Sequence, residues 1–168
     1  MKNVKLYIVI FPLWLILFFP PVLFIALAGN FIIDSLVVVA CYYIYKVKNT
    51  QIKMINFYKK SILKVWIFGF VADAFGAILL LISVWNDNIF PYKITSAINY
   101  NAFRHPVALI IVIFAMLLAS TFIFFFNYRI IFYKVIENKI LRFRIAITIA
   151  IITIPWTFII PTSCFTRY

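Results

Sequence analysis

The chain has 168 residues, of which 67% are hydrophobic, 20% aromatic and only 12% charged, a balance that excludes a water-soluble domain. Sixteen Lys and Arg oppose four acids for a formal net charge of +12, but the basic residues lie in short stretches beside apolar runs, which argues against a nucleic-acid face. Continuous apolar runs with only three Gly exclude disordered, collagenous and alternating-strand architectures. Spanning helices remain, because a backbone in hydrocarbon must satisfy its own polar groups.

The first apolar stretch runs from Leu6 to Tyr45. At about 1.5 Å per residue it measures about 60 Å as a helix, twice the hydrocarbon thickness, so it folds back once. Phe19-Pro20-Pro21 and Gly29-Asn30 are the two turn signals, giving predicted spans of about 6–28 and 30–46 with the hairpin turn somewhere within 19–30. Lys2, Lys5 and the small-residue pattern Ala26-Leu27-Ala28 resemble a secretory signal peptide. The apolar run of about 20 residues exceeds the usual 7 to 15 and continues into more span, so it reads as membrane helix.

Residues 46–64 carry Lys46, Lys48, Lys53, Lys59, Lys60 and Lys64. Lys53, Asn56, Lys60 and Lys64 recur at helical spacing, with Ile52, Ile55, Tyr58, Ile62 and Val65 on another stripe. That pattern predicts a basic amphipathic helix in the interface, with a solvated charged loop as the alternative. A third span follows over 65–85, with Trp66 and Trp85 as interfacial anchors. Asn86 to Pro106 is polar and holds Asp87, Lys93, Arg104 and His105. Pro106 suits the first turn of a fourth span over 107–128.

A second basic connection covers 129–144, with Arg129, Lys134, Lys139, Arg142 and Arg144. The fifth span, 145–161, contains Pro155, which predicts a kink or an early exit. The expected fold is therefore an all-α polytopic membrane bundle of about five transmembrane helices with a basic interfacial segment, one membrane domain over 1–168. No internal repeat is evident.

Thirteen of the sixteen basic residues fall on one face, and Lys93, Arg104 and Arg167 on the other. The positive-inside rule then places the N-terminus in the cytoplasm and the C-terminus outside a cytoplasmic membrane. The same excess would attract anionic lipid headgroups on the cytoplasmic side. Cys41 and Cys164 lie toward opposite faces, so no disulfide is expected, and no metal-ligand spacing or cofactor motif is present.

Two acids sit inside apolar runs, Asp34 and Asp73. Each costs at least about 2.5 to 3.5 kcal/mol near a helix centre unless something compensates it. Asp34 is twelve residues from Lys46 and Asp73 nine from Lys64, about 18 and 14 Å, so their depths are similar. Gly69, Ala72, Gly76 and Ala77 form a small face on the side of Asp73, which invites another helix to approach. Asn30 shares the Asp34 face, and Asn127 and Arg129 close the fourth span. A polar cluster of Asp34, Asp73 and Arg129, with Asn30 and Asn127 near it, is expected. One Arg cannot neutralise two acids, so a proton, a cation or a water-filled cavity must make up the balance. Packing of neighbouring helices through hydrogen bonds is the simpler role for the same residues.

His105, the single histidine, reads as an exposed loop residue, and Ser120-Thr121 and Thr162-Ser163 as residues bonding back to their own helices. The leading expectation is a small binding or accessory protein, of immunity, resistance or assembly type, engaging another membrane component or itself. The alternative is a small oligomeric ion- or proton-coupled transporter or channel using Asp34 and Asp73. An enzyme ranks last, because no nucleophile, base and orienting group converge.

Overall fold

The computed structural model describes residues 22–50, 52–85 and 89–161, and the elements below are those of the described residues. They are all helical: α1 (Val22–Ile44), α2 (Met54–Trp85), α3 (Tyr92–Tyr100), α4 (Pro106–Phe126) and α5 (Lys139–Ile152). Short 3-10 turns lie at Val47–Thr50, Ala102–Arg104 and Trp156–Phe158, and a π-helical turn at Asn127–Ile131. Four helical stretches are long and apolar enough to cross a membrane, Leu27–Ile44, Met54–Trp85, Pro106–Ile131 and Lys139–Phe158. The chain is a multi-pass helical membrane protein. Residues 6–21 of the expected first span lie outside the described residues.

The first difference from the sequence reading is at Gly29-Asn30, where α1 continues without a break. A turn there would leave backbone groups unsatisfied in an apolar setting, whereas a continued helix satisfies them. Residues 22–28 therefore belong to the same helix as Asp34. α1 ends where Lys46 takes a left-handed conformation, φ 51°, and the chain enters a tight turn that buries Val47 completely.

The second difference is the basic segment. Lys53 accepts the amides of Asn56 and Phe57 through its carbonyl, at 3.0 Å each, and starts a helix that runs unbroken for 32 residues to Trp85. Lys59, Lys60 and Lys64 stand on the first three turns of α2, neither on a separate interfacial helix nor on a loop. Phe57, Ser61, Ile62 and Val65 form the buried face of those turns, while Ile55 of the expected stripe is exposed. Trp66 also joins two helices. Its indole N–H donates to the Leu27 carbonyl at 2.8 Å and ties α2 to α1.

The segment expected to be a polar connection after Trp85 contains α3, which buries Thr95, Ala97 and Ile98. His105 is half-buried at the junction with α4, where its Nδ1 accepts the Val107 amide at 3.2 Å, and Pro106 occupies the first helical turn. Asn138 caps α5 by accepting the amides of Ile140 and Leu141. That cap starts the last helix at Lys139, six residues before the expected boundary, and takes Arg142 out of the connection and into the helix. α5 then stops at Ile152, ahead of Pro155, as an early exit.

Two apolar clusters hold the bundle. Toward the basic end, Tyr42 of α1, Phe57 of α2 and Phe132 beyond α4 form a chain of rings with centroid spacings of 5.6 Å. The other cluster is built of small residues, Ala77, Ala97, Ala102, Ala108 and Ala115, filled in by Leu80, Val112, Met116 and Phe158. Here α2 and α4 come closest at Gly76. A Cβ on Gly76 would lie 2.8 Å from the Phe158 ring, 2.9 Å from the Ala115 carbonyl oxygen and 3.3 Å from the Ala119 Cβ. Ser120 bonds across to the Ala150 carbonyl of α5 at 2.9 Å, not to its own helix, whereas Thr121 does bond back, to Leu117.

Candidate functional site

The two acids of the apolar runs, Asp34 and Asp73, line the same recess. α1 and α2 run antiparallel, and Asp34, only 6% exposed, faces Gly69. Its Oδ2 is 3.7 Å from where a Gly69 Cβ would stand. Asp73 is one helical turn further along α2, so its Cβ lies about 5 to 6 Å from position 69 on the same face. The small face expected on α2 thus divides: Gly69 opens space for Asp34, while Gly76 admits α4. Ala72 and Ala77 are buried beside them.

Both acids line one cavity of about 250 Å³. α1 contributes Gly29, Asn30 and Ile33 with Asp34; α2 contributes Gly69 and Phe70 with Asp73. The third wall is the end of α5 and the chain beyond it, Ile152 to Phe158, which brings Thr153 and Thr157 toward the acids together with Trp156. The Oδ1 atom of Asp73 is buried and has no hydrogen-bond partner. Among the described residues, no Lys, Arg or His lines it.

The break in α5 adds to this electrostatic imbalance. Pro155 has no N–H, so the Ile151 carbonyl lacks its i+4 donor, and Thr153 turns both its amide and its hydroxyl onto the Ile149 carbonyl at 2.9 Å. A helix C-terminus carries partial negative charge. This one ends on the cavity that already holds two carboxyl groups. Interrupted membrane helices hold cations through such ends.

Arg129 does not join the acids. It is exposed, with its guanidinium 5.9 Å from the Tyr128 ring centre, and it does not line the cavity. The reason lies in the π-helical turn, where the Phe132 amide reaches back five residues to the Asn127 carbonyl at 3.0 Å. One extra residue in the turn re-phases the helix and swings position 129 outward. Asn127 is buried but separate from the cavity. Its Nδ2 donates to the Ile123 carbonyl at 2.8 Å, and its Oδ1 is buried without a partner. Of the five polar residues expected to cluster, Asn30, Asp34 and Asp73 line the common cavity.

A buried cation does exist, but elsewhere. Arg142, 5% exposed, lies with its guanidinium 4.7 Å from the Tyr128 ring centre and 4.9 Å from that of Tyr133, and its Nη1 donates to the Ile136 carbonyl at 3.4 Å. Its spacing from Ala146 and Ile149 on the buried face of α5 is the signal in the sequence, and it shows only when the helix begins at Lys139. Thr153 and Thr157 had no such signal, because a chain beyond a helix break has no fixed period.

Among the described residues no three His, Cys, Asp or Glu side chains gather as a metal site. The fold and cavity define a multi-pass helical membrane protein with an acidic intramembrane recess. No family model, curated protein or solved structure matches the chain, so the recess is read from its own chemistry.

Proposed function

We propose that the protein binds a cation in the Asp34–Asp73 cavity and acts as a small ion- or proton-coupled transporter or channel. The observation that carries this reading is the convergence of two acids and a helix C-terminus on one cavity, with no basic side chain among the described residues of its wall. The buried Asp73 Oδ1, which has no hydrogen-bond partner, adds to this support. The four membrane-crossing stretches among the described residues enclose little volume, so the working unit in this reading is an oligomer of this chain. The test is flux in proteoliposomes. Asp73→Asn is expected to abolish cation-dependent flux while the yield of folded protein is unchanged; flux at the original rate, or loss of folded protein alone, sinks the reading.

The positive-inside count supports an orientation in a cytoplasmic membrane with the N-terminus and the Lys-rich end of α2 inside. A recess of about 340 Å³ between Lys53, Asn56 and Lys60 on one side and Lys134 on the other suits anionic lipid headgroups.

An accessory role remains the second reading, supported by large aromatic side chains left outward at one end of the bundle. Trp85 is 80% exposed, and Tyr92 and Phe103 flank α3 in the same condition. A partner or a second copy of this chain would dock there. Photo-crosslinking from position 92 in intact membranes tests it, with capture of a discrete adduct as the expected result.

A further inference from the structure

We infer, building on the cation-site reading, that the ligand of the Asp34–Asp73 cavity is a small organic ammonium ion with an apolar or aromatic body, and not a bare metal ion. Size is the first argument. A dry cavity of about 150 Å³ accepts a benzene ring. This one measures about 250 Å³. A desolvated metal ion would leave most of that volume to water, and each buried water needs about two to four polar partners. The walls offer few of them, since Ile33, Phe70, Ile152, Ile154 and Phe158 make up much of the lining and the polar groups are confined to Asn30, the two acids, Thr153, Thr157 and the end of α5.

The second argument is the distribution of chemistry. Hard cations of the calcium type need about six to eight converging oxygens. Here the lining combines two carboxyl groups and Asn30 with the aromatic residues Phe70, Trp156 and Phe158. An ammonium centre satisfies both at once. Its charge pairs with a carboxylate and its C–H surface lies on ring faces, the arrangement that recognises alkylammonium ligands. Trp156 lines the cavity yet stays 57% exposed, so it serves as a rim residue that an entering cation meets first.

The probe is benzyltrimethylammonium, with neopentylbenzene as its uncharged isostere, titrated into the purified full chain in nanodiscs of neutral lipid. Saturable binding of the cation is expected, with the isostere and sodium or calcium failing to compete. Asp73→Asn should weaken it about tenfold or more and Trp156→Ala about threefold. Thermal unfolding of each variant shows that it is folded, and Asp34→Asn replaces Asp73→Asn where the latter does not fold. If sodium or calcium binds in an Asp73-dependent manner while benzyltrimethylammonium does not, the ligand class is wrong and the cation site stands. Equal binding of the isostere overturns the ligand class as well. If no cation shows binding that depends on either acid, both readings fall together.

Discussion

Arg142 and Asp73 both place an ionisable side chain inside the bundle, but their surroundings differ in kind. The guanidinium lies against two tyrosine rings and donates to a backbone carbonyl. The carboxyl group faces a cavity and leaves an oxygen unpartnered. The rings and the carbonyl belong to the fold itself and accompany the Arg142 charge, although its buried Nε has no hydrogen-bond partner. Asp73 Oδ1 has no hydrogen-bond partner, and such a buried polar atom costs stability unless a ligand supplies the balance. The contrast separates a buried charge that holds the structure from one kept available for chemistry.

Mutations should break this contrast in opposite directions. The largest effect is expected for Arg142→Ala, which removes two cation–π contacts and a charged hydrogen bond and should lower stability by about 3 kcal/mol. Thermal unfolding in detergent measures it, and Arg142→Lys should recover only part of the loss because an ammonium lacks the planar stacking surface. A melting temperature equal to that of the unmutated chain would show that the tyrosine cage contributes nothing.

The two glycines of α2 come next and sharpen the comparison along one helix. Gly76→Ala drives a Cβ into the Ala115 carbonyl, which is backbone and cannot step aside, so it should cost about 1 to 3 kcal/mol. Gly69→Ala meets only the Asp34 carboxyl group at ordinary contact distance. It should be neutral, or stabilising by up to about 1 kcal/mol, because Ala is the better helix former. Similar losses at both positions would mean that Gly69 also marks a helix contact.

The smallest change in stability is expected at the acids. Asp73→Asn, or Asp34→Asn, removes a carboxyl group from the cavity wall and should leave stability unchanged or raise it by about 1 kcal/mol, even as cation binding is lost. A drop of more than about 2 kcal/mol would put the acids in the same structural class as Arg142.

How much of this was legible depended on whether a residue's meaning is local. Asp34 and Asp73 stand out because an acid in an apolar run is costly whatever surrounds it, and Asn30 follows at one helical turn. The membrane-bundle class follows equally from composition. What failed was phase. The π-helical turn at Asn127 shifted Arg129 off the expected face, the Asn138 cap moved Arg142 onto a buried one, and α1 ran through a Gly-Asn pair that would end a helix in water. In each case a single backbone decision, governed by hydrogen-bond satisfaction in the packed state, reassigned the side chains beyond it. Thr153 and Thr157 were beyond reach for a related reason, since only the folded position of the Pro155 break brings them to the acids.

The unbroken length of α2 has a mechanical consequence. Lys59, Lys60, Gly69 and Asp73 ride on one shaft of 32 residues with no proline joint along it. A tug on the lysine handle, whether from a charged surface or a docked neighbour, therefore tilts Asp73 against Asp34 and the end of α5, so that load at one end of the rod is felt as a change in the shape of the recess.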